Sequence, residues 1–251
     1  MITDTFDVAT EVIISPEKIY GTHKALCDIC IITFSNQIIA KIINQFACVK
    51  IAEIKSANGS IPCYKLNYKG KDIAFYMTMI GSAGAGACIE ETHCLIGAKK
   101  YIMFGTCGCL DKDITEGKVI VPTDAYRDEG LSYHYAKASN YIKIKNSDFV
   151  ASFLSEAGIP YVTGKTWTTD AFYRETRGNM EKRKAEGCIA VEMECAGVQA
   201  VCDFRNLELY NFLISGDLLD SPEWDRRILG DAGGTHQIKS FYMALELALR
   251  I

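Results

Sequence analysis

The chain has 251 residues, 49% of them hydrophobic, with 27 basic and 31 acidic side chains for a net charge of -4. That is enough apolar material to bury a large core as one domain, 1–251, and it excludes the polycation that phosphate-backbone binding requires, so no nucleic acid is expected as a partner. No apolar run approaches ~18 residues, and Met1-Ile-Thr-Asp-Thr-Phe-Asp7 carries acids where a signal peptide carries base; a cytoplasmic protein with no membrane partner is expected. Eleven cysteines, an odd count scattered through strand-like and helix-like segments, read as reduced, small buried hydrophobes. Cys27-x-x-Cys30 has metal or redox spacing, but no second pair stands at zinc-ribbon distance, and no metal is expected.

In chain order, residues 1–27 read as a leading arm with Pro16 starting a helical turn. Asp28 to Phe34 is the continuous apolar run of a central strand, and Ser35 or Asn36 caps a helix whose Ile38, Ile39, Ile42, Ile43 and Phe46 recur at helical spacing. Ile51 to Ile54, Tyr64 to Tyr68 and Ile73 to Met79 follow as strands. Gly81-Ser-Ala-Gly-Ala-Gly86 then leads into a helix through about Ile96, and its glycines leave N–H groups uncovered for an anion or polar ligand. The spacing is not that of a dinucleotide fingerprint.

Tyr101 to Phe104 is a strand ending in a second glycine turn, Gly105-Thr-Cys-Gly108, and the two glycine loops are expected to form one cradle. Val119 to Pro122 continues the sheet, and Arg127 to Tyr135 is a polar, aromatic loop rich in groups capable of function. A helix over Phe149 to Ala157, a strand over Tyr161 to Thr168, a loop over Thr169 to Glu175 and a charged helix over Met180 to Glu186 come next. Ile189-Ala-Val-Glu-Met-Glu-Cys-Ala-Gly197 is a strand-to-helix junction tipped with two carboxylates. Even spacing points Glu192 and Glu194 to the same side, either toward a ligand or as caps on the helix that follows. Glu208 to Ser215 is a strand delivering Gly216, Asp217 and Asp220, and His236 onward is a terminal helix. The alternation argues a three-layer α/β domain with some antiparallel pairing.

The order of the glycine-rich loop, Gly105-Thr-Cys-Gly108, Thr169-Asp-Ala-Phe-Tyr173, Val191-Glu-Met-Glu194 and Ser215-Gly-Asp217 resembles the nucleoside phosphorylase family that contains uridine phosphorylase and bacterial purine nucleoside phosphorylase. The resemblance runs from about Asp28 to the C-terminus, and Val-Glu-Met-Glu before Cys-Ala-Gly is its most specific element. It implies an α/β fold, a three-layer α/β/α sandwich with a mixed, partly barrelled central sheet. The activity implied is cleavage of the N-glycosidic bond of a purine or pyrimidine nucleoside, with phosphate as co-substrate and no cofactor. It also implies a homo-oligomer, whether dimer, trimer or hexamer.

By that resemblance Glu194 holds the ribose hydroxyls with Met193 against the sugar and Glu192 beside them, and Phe172 stacks on the base. Thr106, with Gly105 and Ser82, serves the phosphate or ribose end, and Asp217 is the acid that assists the leaving base, with Asp220 as competitor. A carboxylate on the sugar hydroxyls suits an oxocarbenium-like state, and a protonated acid suits a departing ring nitrogen. The phosphate arginines of the family fall here on Ile38 and Met103, and the uracil-reading pair on Thr176 and Gly178. Water is therefore the alternative nucleophile, and a nucleoside-binding protein without turnover a third reading. Arg127 either replaces a lost arginine or pairs with Glu129; His134, Arg174 and Arg177 are further candidates, and Trp224 with Asp225, Arg226 and Arg227 is either a lid or plain surface.

Overall fold

The computed structural model describes all residues except 22–24, 58 and 232–233, so part of the expected leading arm lies outside the described residues. Its strands are β1 (Ile29–Thr33), β2 (Cys48–Ser56), β3 (Gly59–Tyr68), β4 (Lys71–Met77), β5 (Lys100–Cys109), β6 (Val119–Asp128), β7 (Tyr141–Lys143), β8 (Tyr161–Thr169), β9 (Cys188–Glu192) and β10 (Glu208–Leu218). The helices are α1 (Pro16–Tyr20), α2 (Asn36–Gln45), α3 (Ser82–Ile96), α4 (Lys112–Thr115), α5 (Ser132–Tyr135), α6 (Ser147–Glu156), α7 (Arg177–Ala185), α8 (Cys195–Arg205) and α9 (Thr235–Ala248). Among these, no helix is long and apolar enough to cross a membrane.

One mixed sheet runs β10-β6-β8-β9-β5-β1-β4-β3-β2, and β10 also pairs with β5, so β5, β9, β8, β6 and β10 close on themselves. The result is a five-stranded barrel continued by an open wing. Strands β1, β4, β5 and β10 are mutually parallel through their pairings, as are β6, β8 and β9, while β2 and β3 add an antiparallel edge. Helices cover both faces. Ile89 and Cys88 of α3 and Val198 and Val201 of α8 pack in one buried cluster, and Ile38 and Ile42 of α2, Val150 and Leu154 of α6 and Phe241 and Leu245 of α9 pack in the other.

Both glycine segments differ from their expected form, for a reason of packing. Gly105 to Gly108 is no turn but the second half of β5, which pairs with β10 from Leu213/Gly105 to Leu218/Cys109 and with β9 at Gly108/Val191. A Cβ on Gly108 would stand 2.6 Å from Leu219 Cδ1 and 2.8 Å from Val191 Cγ1, closer than real carbon contacts allow, so the closing barrel requires its absence. In the other segment only Gly81 precedes the helix, with φ +88, and Gly84 and Gly86 lie inside α3. Strand β6 likewise outruns its expected end at Pro122, because a register shift between Pro122 and Ala125 absorbs the proline and pairing resumes to Asp128.

Candidate active site

The cavity lies where the C-terminal ends of parallel strands converge, the place at which open α/β sheets gather their ligands. Phe34 follows β1, Ile80 follows β4, Thr106 and Cys107 belong to β5, Phe172 follows β8, Met193 and Glu194 follow β9, and Asp217 is near the end of β10; all line one cavity of about 260 Å³. A second lobe of about 320 Å³ shares Phe172, Glu175, Asp217 and Leu229 with it and adds Tyr173, Arg177, Met180, Leu219 and Trp224. The size suits a nucleoside-sized ligand.

The two carboxylates at the β9–α8 junction divide the roles left open by their spacing. Glu192 is buried, and its Oε2 accepts the N–H groups of Glu194 at 2.7 Å and Cys195 at 2.6 Å, while the hydroxyl of Thr168 donates to its Oε1. It caps α8 and fixes the bend. Although it borders the cavity, its oxygens are engaged with protein donors, so the expected place beside Glu194 on the sugar goes instead to holding the junction. Glu192→Ala would strand these buried donors, and a loss of roughly 3 kcal/mol or more is expected in denaturant unfolding.

Glu194, bent away from the strand at the helix N-cap, accepts the Gly81 N–H at 2.6 Å. Burial, and then the neighbouring Glu192 charge, push its carboxyl up to about 8, with the Gly81 N–H working in the opposite direction. Such a group gains from any ligand that brings donors to its free oxygen or positive charge to its vicinity.

At the far end Asp217 is buried and accepts the indole N–H of Trp224 at 2.7 Å. Trp224 thus joins the wall of the second lobe beside this acid, while much of its ring stays exposed. Burial raises the Asp217 carboxyl against that hydrogen bond. Glu175, which the sequence did not single out, lines both lobes, and burial followed by the Asp217 charge pushes it up to about 7. Nothing in Tyr-Arg-Glu-Thr announces this, since Glu175 reads as one more polar loop residue until the turn Phe172–Arg174 folds it inward.

The structure brings Glu194, Met193, Glu192, Phe172, Gly105, Thr106 and Asp217 to this cavity, sets Arg177 and Trp224 on its second lobe, and leaves Ser82, Arg127, His134, Arg174 and Asp220 outside both. Ser82 is fully buried and spends its hydroxyl on the Met193 carbonyl at 2.9 Å. Arg127 is spent on Ser132 Oγ, Ser139 Oγ and the Lys137 and Ala136 carbonyls, stacked on Tyr133, so it replaces no phosphate arginine. Nor does it pair directly with Glu129; both grip Ser132. His134 and Arg174 are exposed and border neither lobe, and Asp220 is tied to Lys184 at 2.6 Å.

One cysteine beside the cavity departs from the reading as a plain buried hydrophobe. Cys109 is pulled down to about 6, chiefly by a hydrogen bond from Cys107, with Ser215 and Thr115 assisting, and it lies buried behind Cys107.

Residues 28–241 match the phosphorylase superfamily. The chain belongs to that family. Among relatives, a purine nucleoside phosphorylase of the DeoD type from Bacillus cereus is 30% identical over 162 residues, covering 62% of this chain and 68% of the relative. Among solved structures, the 5'-methylthioadenosine/S-adenosyl homocysteine nucleosidase of Campylobacter jejuni superposes with a TM-score of 0.71 at 18% identity, over 90% of this chain and 100% of that one. Purine nucleoside phosphorylase from Toxoplasma gondii in complex with immucillin-H gives 0.71 at 22%, over 88% and 90%. These superpositions establish the fold expected from the sequence, a phosphorylase-superfamily sandwich built on a partly barrelled mixed sheet.

Proposed function

We propose that this phosphorylase-superfamily protein cleaves the N-glycosidic bond of a purine nucleoside and that water is the acceptor. The observation that carries the reading is the cavity's polarity: of the four carboxyl groups that line the 260 Å³ lobe, Glu192 is engaged with protein donors and Glu194, Glu175 and Asp217 face a ligand, and no Lys, Arg or His is among the described residues that line it. Glu194 would take the ribose 2′- and 3′-hydroxyls, whose bonds to a carboxylate strengthen as positive charge grows on the ring. Phe172 would face the base, and the acids beyond it would supply the proton that lets the base depart. Water adds its oxygen to C1′, the C1′–N9 electron pair leaves with the base, the base takes the acid's proton, and the proton lost by water restores the acid.

A phosphate dianion asks for the forked cations that the family's arginines provide, and here Met103, almost fully buried, stands in one such position beside Phe34. Phosphorolysis is the second reading. It is favoured by the Thr106 hydroxyl at this end of the cavity and by the activity in the name of the Bacillus cereus relative.

Base release from purine nucleosides, followed with and without inorganic phosphate, separates the two. Release at the same rate in both, with free ribose as product, is expected. Release that requires phosphate and yields ribose 1-phosphate would replace water by phosphate, and no base release from any purine nucleoside would reject cleavage altogether.

A further inference from the structure

We propose that Glu175 is a base-reading residue which, paired with Asp217, selects a purine carrying an exocyclic amine at C6 over one carrying a carbonyl there. The assignment rests on the nucleoside reading above and names the substrate class within it. Glu175 and Asp217 line the same two lobes from opposite segments, one from the turn after β8 and the other from the end of β10. Among the described residues no donor hydrogen-bonds to the Glu175 carboxyl, although the side chain is partly buried in a cavity wall. The cation that shares its lobe, Arg177, turns its guanidinium to the Ser221 and Pro222 carbonyls at 3.1 and 3.3 Å. Asp217 in turn accepts the Trp224 indole N–H. Of the other charges near it, Arg227 favours its ionised form, Asp225 opposes it, and Arg227 is itself drawn to Asp225 and Glu116.

Two carboxyl groups held against one cavity resist becoming a pair of anions, so the pair retains one proton and presents one donor beside one acceptor. The Hoogsteen edge of a purine distinguishes the two cases. A 6-aminopurine offers the N7 acceptor next to an N6–H donor and matches this pattern bond for bond. A 6-oxopurine offers two acceptors, N7 and O6, and would set a carbonyl oxygen against a carboxylate. Sites built around such a complement reject the mismatched analogue strongly, because their own polar group is then left unpaired.

Adenosine and inosine share the ribose and differ at this edge, and they are the probes. The wild-type protein is expected to favour adenosine in kcat/KM by about 10² or more. Glu175→Gln, whose amide can donate to O6, is expected to narrow that ratio at least about tenfold, mainly by improving inosine, with the melting temperature unchanged. Glu175→Ala should narrow it by losing adenosine alone, so the two variants read the same contact from opposite sides. Cleavage of both nucleosides with a ratio that neither variant moves, or a wild-type preference for inosine, would overturn the role given to Glu175 while leaving nucleoside cleavage intact. Cleavage of neither nucleoside by the wild-type protein would overturn the nucleoside reading and this assignment with it.

Discussion

Asp217→Asn is expected to lower kcat for purine nucleosides by about 10²- to 10⁴-fold while leaving the protein folded. The substitution keeps the shape of a buried side chain and an oxygen for the Trp224 indole, whose 2.7 Å bond it now receives as an amide. What it removes is a transferable proton: an amide can donate a hydrogen bond to N7 but cannot protonate it. Departure of a poor leaving group should therefore suffer far more than departure of a good one. Measured on a riboside of 4-nitrophenol, which leaves without protonation, the same variant should retain most of its activity. Equal losses on both substrates would mean that Asp217 shapes the cavity rather than supplying the acid.

Glu194→Gln should do something rarer, lowering kcat/KM by about 10²- to 10³-fold while making the protein more stable. The loss follows because the neutral amide cannot strengthen its hold on the sugar hydroxyls as the ring becomes cationic. The gain follows from linkage. The folded protein holds the Glu194 carboxyl up to about 8 against an ordinary value of 4.5, so it keeps a proton that the unfolded chain gives up. The group's contribution to stability is full below about 4.5 and falls away as the pH rises toward 8. A glutamine does not titrate and still accepts the Gly81 N–H. Thermal melts should accordingly show the variant above the wild type at pH 8 and the difference closing toward pH 4.5. Such a trade of stability for activity marks a carboxyl kept for a ligand. A variant that melts lower at pH 8 would instead make Glu194 a structural cap, the role that Glu192 fills.

The contrast between these neighbouring acids shows where sequence reasoning was sufficient and where it stopped. Even spacing and a strand-to-helix junction identified both carboxylates, and the apolar runs of β1, β9 and β10 and the period of α2 placed most elements of the sandwich. Which acid would meet the cavity depended on a backbone bend at Met193 that Glu192 itself creates by gathering the N–H groups of Glu194 and Cys195. The glycines of β5 read as a turn for a related reason. A glycine needed for close approach in a closing barrel looks, in one dimension, like a glycine needed for a turn, and only the β5–β10 pairing separates the two. Arg127 looked like a spare cation because nothing local reveals that Ser132, Ser139 and two carbonyls consume its donors. Glu175 carries no local signal, since its chemistry comes from burial and from Asp217, more than forty residues away in the chain.

A crystal structure with a purine C-nucleoside, whose carbon–carbon glycosidic linkage cannot be cleaved, puts the whole arrangement to the question at once. The ribose 2′- and 3′-hydroxyls are expected within hydrogen-bond distance of Glu194, the base against Phe172, and N7 facing the Glu175–Asp217 pair. A ligand seated with its base toward Glu194, or bound outside this cavity while Glu194 keeps only its bond from Gly81, would contradict it.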